Sequence, residues 1–195
     1  MAYELRSARY LAAQILQEAV EEGDCVVDAT MGNGHDTLML CRLVGETGRV
    51  IAFDIQEEAV ARTAQLLEEN GLAGRARLLC RGHEHLLEEV PGEIAAMVMN
   101  LGWLPGGNHQ VTTLWETTRQ AVEAGLKCLR PGGVLVVCAY PGHEEGNRER
   151  EQLTTLLSGL SNRTYNVLQQ RFLNASPNAP VCYVVQKNAP AGRQP

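Results

Sequence analysis

Short apolar runs alternate along this chain with longer segments of helical periodicity, and this alternation constrains the fold more than any other feature. The apolar runs are rich in Val and Ile and lie at 25–28, 49–53, 76–80, 94–99 and 134–139. Strands of this kind are buried on both faces, which requires helices on both sides of a parallel sheet. The alternation therefore predicts a doubly wound α/β fold.

The segments between and after these runs complete the predicted order of elements. Helical patterns lie at 7–22, 36–44, 57–70, 84–90, 112–129 and 149–160. Two further strand-like stretches, 165–172 and 181–186, follow each other without a helix between them. Because strands joined so directly pair most easily as antiparallel neighbours, we expect a mostly parallel seven-stranded sheet that ends in a C-terminal antiparallel hairpin.

Length and composition bound the class of protein. A chain of 195 residues, 45% of them hydrophobic, can build one complete core, so we expect a single domain over 1–188 and a flexible tail over 189–195. No apolar run reaches the roughly 20 residues that span a bilayer, so the expected location is the cytoplasm, without membrane contact. The six cysteines are widely spread, which favours reduced, buried thiols and no metal site.

The stretch 26–40 has the order of strand, glycine turn and helix that binds nucleotide-type cofactors. Asp28 ends the strand, Gly32 and Gly34 form the turn, and helical spacing then resumes. Glycines let the backbone approach a ligand, and the unpaired amides of the new helix point into the same space. Thr37 stands where a dinucleotide-binding fingerprint has its third glycine, so the turn departs from that class.

Two other strand ends add to the predicted cofactor site. Asp54 ends the second strand, where a carboxylate can accept hydrogen bonds from both ribose hydroxyls of a nucleotide. His83 follows the third strand, where the adenine edge of such a cofactor would lie; a purely structural role is the alternative for this histidine.

The loop after the fourth strand is the predicted site of the chemistry. Asn100 ends that strand and Trp103 follows three residues later, which is the spacing of the N-P-P-Y motif of methyltransferases that modify amino nitrogens. Such a transfer is an in-line displacement, so the enzyme contributes mainly orientation and a desolvated pocket. The amine must be neutral to react, and His83, His109 or His143 could accept its proton. A strand-end cap is the alternative for Asn100, and burial in the core is the alternative for Trp103.

Several strings together resemble one bacterial family almost from the first helix to the last strand. The family has long been labelled rRNA methylases, and its characterised members resemble tRNA 5-(aminomethyl)-2-thiouridylate methyltransferases. The strings are D-A-T-M-G-N-G-H-D-T, A-F-D-I-Q, N-L-G-W-L-P-G-G and Y-P-G-H-E-E-G. The resemblance implies the Rossmann-like Class I methyltransferase fold, S-adenosylmethionine as cofactor and S-adenosylhomocysteine as product. It also implies methylation of the exocyclic amine of 5-aminomethyl-2-thiouridine at the tRNA wobble position.

The positions of the residues and the resemblance together imply roles for individual residues. The implied cofactor-binding residues are Asp28, Thr30, Gly32, Asn33, Gly34, His35, Asp36, Asp54, Gln56, His83 and Asn100. The implied catalytic residues are Asn100, Gly102, Trp103 and His143. The implied substrate-binding residues are Trp103, Pro105, Gly106, Tyr140, His143 and Arg148. The chain departs from the family pattern in having Trp103 in place of tyrosine, Thr30 in place of a usual glycine, and Arg81-Gly82 before His83.

The implied partner is the anticodon arm of tRNA, and a homodimer is possible. A formal charge of -6 argues against non-specific coating of nucleic acid but leaves room for a local basic patch. The candidate RNA contacts are Arg75, Arg77, Arg81, Arg148 and Arg150. The alternative functions are a small-molecule N- or O-methyltransferase, an rRNA methyltransferase and, more remotely, a non-catalytic scaffold.

Overall fold

A computed structural model describes residues 8–107 and 110–189. In that part of the chain a sheet of seven strands is covered by six α-helices. The strands are Cys25–Asp28 (β1), Arg49–Asp54 (β2), Ala76–Cys80 (β3), Ile94–Asn100 (β4), Leu129–Ala139 (β5), Tyr165–Gln170 (β6) and Val181–Lys187 (β7). The helices are Ala8–Ala19 (α1), His35–Leu43 (α2), Glu57–Glu69 (α3), Leu86–Glu89 (α4), Trp115–Cys128 (α5) and Glu144–Ser158 (α6).

The strands lie side by side in the order β3-β2-β1-β4-β5-β7-β6. Strands β1 to β5 pair in parallel, whereas β7 is antiparallel to both β5 and β6. This is the Rossmann-like Class I methyltransferase arrangement, so the predicted parallel sheet with a C-terminal antiparallel hairpin is confirmed. The single domain over 1–188 stays a prediction, and the predicted tail lies, apart from Ala189, outside the described residues.

Alternate residues of each strand feed two separate hydrophobic layers. Val26 points into the layer formed with α1, α2 and α3, and its neighbour Val27 points into the layer formed with α4, α5 and α6. All but the outermost strands are therefore buried on both faces, which is why their sequences read as continuous apolar runs. The rigid sheet fixes where each strand ends.

Two helices begin at positions that the sequence did not predict. Helix α5 begins at Trp115 rather than at 112, because Thr112 pairs with Trp103 and the Thr113 amide donates to the Gly102 carbonyl, which keeps this segment extended. Helix α6 begins at Glu144 rather than at 149, because the His143 side chain caps it by accepting a hydrogen bond from the Gly146 amide. Both differences bring side chains to the same edge of the sheet.

That edge is where the parallel strands end. Strands β2 and β3 lie on one side of β1, and β4 and β5 lie on the other. The order in which successive strands are added to the sheet therefore reverses between β1 and β4. In open α/β sheets ligands bind in the crevice beyond the carboxyl ends of the strands at this switch point. The fold therefore directs attention to Asp28 and Asn100, which end β1 and β4.

Candidate active site

A cavity of about 620 Å³ opens at the switch point and is lined by the loops that follow β1 to β5. Its volume lies in the range of sites for small molecules and cofactors. Most of the residues singled out from the sequence contribute to its wall. They are Thr30, Gly32, Asn33, His35, Asp36, Asp54, Gln56, His83, Asn100, Gly102, Trp103, Pro105, Tyr140 and His143.

Four other residues singled out from the sequence do not line the cavity. Asp28 is fully buried behind the glycine turn, and Gly34 packs against Thr63, which leaves no room for a Cβ. Gly106 has a φ of 80° in the turn of the loop after β4. Arg148 is exposed and pairs with Glu116 at 2.5 Å. Roles for these four in ligand binding would have to be indirect or to involve a ligand that extends beyond the cavity.

The glycine turn is held by two carboxylates. Asp54 accepts hydrogen bonds from the amides of Gly32 and Gln56, both at 3.0 Å. Asp28 accepts from the Thr37 hydroxyl at 2.6 Å and from the Thr30 amide at 3.2 Å. Burial raises the pKa of Asp28 to about 7, and the nearby carboxylates of Asp36 and Asp54 add to the shift. Asp28 and Asp54 thus hold the backbone of the glycine turn through the amides of Thr30 and Gly32.

Gly32 is a position where the backbone itself requires glycine. Its φ is 51°, in the left-handed region, and a Cβ there would meet the Leu104 side chain at 3.4 Å. Asn33 ties the same turn to the loop after β4, because its Nδ2 donates to the Pro105 carbonyl at 3.2 Å. The glycine turn and the loop after β4 are therefore in direct contact.

His83 forms part of the wall after β3. Its Nδ1 lies 3.0 Å from the Ala29 carbonyl oxygen, which can only accept, so the ring carries its hydrogen on Nδ1. Burial lowers the pKa of this histidine, so the ring stays neutral with Nε2 free as an acceptor. Nearby, Ile55 is 61% exposed and lines the same end of the cavity, which provides an apolar surface for a flat ring.

Hydrogen bonds hold both the backbone and the side chain of Asn100 at the other end of the cavity. Its backbone amide donates to the Thr30 hydroxyl at 2.7 Å, and its side-chain Nδ2 donates to Asp36 Oδ2 at 2.7 Å. A carboxylate only accepts, so this contact determines which end of the amide is nitrogen. Arg9 holds Asp36 in turn, with Nη2 3.1 Å from Oδ1. As a result, Asn100 Oδ1 is buried and has no hydrogen-bond partner.

Two aromatic rings form the wall beside Asn100. The Trp103 and His143 ring centroids lie 4.5 Å apart at an interplanar angle of 42°, and Trp103 remains 38% exposed. His143 Nδ1 accepts from the Gly146 amide, so the neutral ring carries its hydrogen on Nε2. That Nε2 and the Thr112 hydroxyl are buried without partners, like Asn100 Oδ1. Unsatisfied polar atoms of this kind mark a wall built for a ligand.

The hydrogen bonds of His83 and His143 limit which of them could accept a proton from a substrate amine. His143 presents a donor nitrogen in this arrangement, because its acceptor nitrogen is used to cap α6. His83 has a free acceptor nitrogen, but it follows β3 and therefore lies on the predicted adenine side. His109 lies outside the described residues.

A buried carboxylate anchors the loop after β4, and the sequence reading missed it. Glu149 on α6 is fully buried and accepts from the hydroxyls of Thr113 at 2.7 Å and Thr118 at 2.5 Å. The Thr113 oxygen in turn accepts from the Gly102 amide at 2.8 Å. Burial raises the pKa of Glu149. The sequence feature that could have identified Glu149 is its position four residues before Leu153, on the face of the helix that is buried.

Arg9 is a second residue that sequence reasoning missed. It lines the cavity from the first turn of α1 and pairs with Asp36, yet it belongs to no recognisable motif. Only the packing of α1 across the sheet brings it there.

The arginines proposed as RNA contacts are mostly engaged by other groups. Arg75 donates to the Cys41 carbonyl at 3.1 Å, Arg77 pairs with Glu89, and Arg81 pairs with Glu88 and Glu89. Arg148 pairs with Glu116, as described above. Arg150 makes the loosest of these contacts, at 3.4 Å to Glu151.

Two other kinds of feature are absent from the part of the chain that the structure describes. Within residues 8–107 and 110–189, no three His, Cys, Asp or Glu side chains are grouped closely enough to hold a metal ion. No helix in the same ranges combines the length and the apolar character that a membrane crossing needs.

Comparison with known proteins gives three concordant findings. Residues 50–186 match the family model described as "Putative rRNA methylase". The chain is 35% identical over 186 residues to the chloroplastic tRNA (mnm(5)s(2)U34)-methyltransferase of Arabidopsis thaliana. The alignment covers 90% of this chain and 68% of that protein. The chain is also similar to two solved structures.

The first of these structures is described as a "putative rRNA-methylase" from Clostridium thermocellum. It superposes with a TM-score of 0.93 at 35% identity, covering 95% of this chain and all of that one. The second is a "putative methyltransferase" from Streptococcus mutans in complex with S-adenosylhomocysteine. It has a TM-score of 0.86 at 29% identity and covers 94% of this chain and 99% of the other.

Proposed function

We propose that this chain, which belongs to the rRNA methylase family and is an S-adenosylmethionine-dependent methyltransferase, methylates the exocyclic amine of 5-aminomethyl-2-thiouridine at the wobble position of tRNA. We also propose that it does so in the cytoplasm. The single observation that carries the amine is Asn100 Oδ1, a buried acceptor without a partner in a side chain whose orientation Asp36 determines. The relative from Arabidopsis thaliana supports the nucleoside and the tRNA.

The cavity fits S-adenosylmethionine. The left-handed Gly32 lets the glycine turn approach a ligand closely, and Asp54 lies where ribose hydroxyls would donate to its remaining lone pairs. Ile55 and His83 provide an apolar face and a free ring nitrogen for the adenine. We assign these residues, with the turn from Thr30 to Asp36, to cofactor binding. Asp28 and Gly34 act from behind the turn by holding its shape.

The loop after β4 orients the amine. When bound, S-adenosylmethionine supplies an electrophilic methyl group on a sulfonium sulfur. Asn100 Oδ1 accepts a hydrogen bond from one N–H of the neutral amine, which aims the nitrogen lone pair along a fixed direction. Asp36 acts as a positioning residue, since it prevents the amide from turning its NH₂ group toward the amine. The substrate ammonium gives one proton to solvent to become the neutral amine before the transfer, and the methylated product is itself a secondary ammonium ion, so no further proton has to leave.

The aromatic wall holds the base. Trp103 offers an exposed ring face for stacking, and its contact with His143 limits the movement of both rings. The Thr112 hydroxyl and the His143 Nε2–H are then available to the polar edge of the pyrimidine. Gly102, Pro105 and Tyr140 complete this wall, and Gly106 shapes its turn. A flipped-out nucleotide is the form of RNA that such a pocket accepts.

An rRNA methyltransferase is the second candidate, because the family description names rRNA. A small-molecule N- or O-methyltransferase is the third, and the acidic charge favours it. Mass spectrometry of nucleosides separates them. Incubation with S-adenosylmethionine should convert the aminomethyl nucleoside of tRNA to its methylated form. Conversion of rRNA alone, or of the free nucleoside as fast as of tRNA, would instead support one of the alternatives. A homodimer stays a prediction.

A further inference from the structure

A second depression lies between α6 and the hairpin of β6 and β7. It is an open groove of about 630 Å³, and we call it the Arg150–Arg171 groove. Arg150 and Thr154 come from α6, Gln169 and Arg171 come from the end of β6, and Val181 begins β7. None of these elements contributes to the cofactor end of the cavity, so the groove is a separate site.

The groove lies at the same edge of the sheet as the active site. Val181 pairs with Ala139, the last residue of β5, and the cavity wall begins at the next residue, Tyr140. Since β5 and β6 are both antiparallel to β7, they run in the same direction, and Arg171 follows the carboxyl end of β6. Arg150 is seven residues beyond the His143 cap of α6, which corresponds to about 10 Å along a helix axis.

The floor of the groove is rigid. The Tyr183 hydroxyl lies 2.7 Å from the Thr154 hydroxyl and 3.1 Å from Gln169 Nε2, and it lies 3.3 Å from the Arg150 carbonyl oxygen. These contacts connect α6 to both strands of the hairpin. The two arginines therefore project from elements whose relative position is fixed.

The guanidinium groups in the groove are less satisfied than those of Arg77, Arg81 and Arg148. Among the residues that the structure describes, the buried Arg150 Nε has no hydrogen-bond partner, and Arg150 forms one ion pair, the 3.4 Å contact with the exposed Glu151. Arg171 is exposed, and it forms no hydrogen bond or ion pair with the described residues. By contrast, Arg77, Arg81 and Arg148 are each held by a glutamate at 2.7 Å or less.

We propose that the Arg150–Arg171 groove binds backbone phosphates of the RNA whose target nucleotide occupies the cavity. This inference rests on the proposed function. A guanidinium presents paired N–H donors that match phosphate oxygens, and two of them on a rigid floor define a path for the strand away from the site. A few such contacts explain how a chain of net charge -6 can engage RNA.

Binding of tRNA with an unmethylated aminomethyl group, measured at several salt concentrations with S-adenosylhomocysteine present, tests the groove. Arg171→Ala and Arg150→Ala should each weaken binding roughly tenfold at low salt. Each should also reduce the slope of log K against log salt by about 0.7 to 0.9. Arg163→Ala is the matched control, because Arg163 is exposed and precedes β6 at the opposite edge of the sheet.

The outcomes separate this inference from the function on which it rests. If wild-type enzyme methylates tRNA while Arg171→Ala and Arg150→Ala bind like Arg163→Ala, the groove is not a phosphate site and the proposed function stands. If wild-type enzyme neither binds nor methylates tRNA, both are wrong. Arg150 is partly buried, so its variant could perturb folding; the exposed Arg171 then decides the result, with unchanged affinity for S-adenosylhomocysteine as the check.

Discussion

Asp36 determines the orientation of the Asn100 side chain: Asn100 Nδ2 donates to Asp36 Oδ2 at 2.7 Å, and Asn100 Oδ1 is left buried and unpaired in the wall of the cavity. Under the proposed function, Asn100 is the residue that touches the amine and Asp36 is the residue that aims Asn100. Substitutions at the two positions should have different effects because of this division.

Asn100→Ala removes the acceptor and should lower kcat by about 100-fold, with a much smaller change in affinity for S-adenosylhomocysteine. Asp36→Ala keeps the acceptor but frees the amide to rotate, so kcat should fall by about tenfold. Asp36→Asn retains an oxygen for Asn100 Nδ2 and should lie between Asp36→Ala and wild type. Steady-state kinetics on tRNA measure all three, and wild-type kcat in Asp36→Ala would contradict the positioning role.

Asp54 should control cofactor affinity. Its carboxylate holds the amides of Gly32 and Gln56, so Asp54→Ala loosens the glycine turn in addition to removing the ribose contact. Titration calorimetry with S-adenosylhomocysteine should show a loss of at least about tenfold. Glu57→Gln removes a neighbouring exposed carboxylate that does not line the cavity and serves as the control. Equal affinities in the two variants would rule out the assignment.

Glu149 should matter for stability as well as for activity. Glutamine at this position has a single acceptor oxygen for the two hydroxyls that Glu149 accepts from, so Glu149→Gln should lose about 1–3 kcal/mol in the free energy of unfolding. Its kcat should also fall, because Thr113 then no longer holds the Gly102 amide in place. Denaturant titration of Glu149→Gln beside Glu93→Gln, a change at an exposed glutamate that lines neither the cavity nor the groove, measures the difference. A kcat like that of Glu93→Gln would show that the loop needs no such anchor.

The raised pKa of Asp28 predicts how the stability of the protein depends on pH. Its pKa is about 7 in the folded protein against an ordinary value of 3.8, so the folded state holds this proton more tightly. Raising the pH between those two values therefore favours the unfolded state. Asp28→Asn removes this titration, so the stability of the variant relative to wild type should rise from pH 5 to pH 7, by up to about 2.7 kcal/mol. Parallel stability profiles for the two proteins would contradict the shifted pKa.

Sequence patterns predicted the sheet and the loops that meet at its edge because both depend on local chemistry. Buried parallel strands must be apolar on both faces, as in β4, and a left-handed turn such as that at Gly32 must use glycine. Contacts between distant segments leave no local pattern. Arg9 reaches Asp36 only because α1 crosses the sheet, and Glu149 reaches Thr113 only because α6 packs beside α5 and the segment that precedes it.

The proposed RNA contacts show the same limit. Basic residues can be identified in a sequence, but the residues that pair with them in the folded protein cannot. Arg77 and Arg81 pair with glutamates of α4, whereas Arg171, which no pattern singled out, has no partner within 8–107 and 110–189 and lies beside the active-site edge.

The central claim is that the loop from Asn100 presents an acceptor to a primary amine on tRNA. The most direct test compares methyl transfer from S-adenosylmethionine to two otherwise identical tRNAs, one with 5-aminomethyl-2-thiouridine at the wobble position and one with 2-thiouridine there. Nucleoside mass spectrometry should detect one added methyl group, on the aminomethyl nitrogen, in the first tRNA only. Equal methylation of both tRNAs, or methylation at another nucleotide, would contradict the claim.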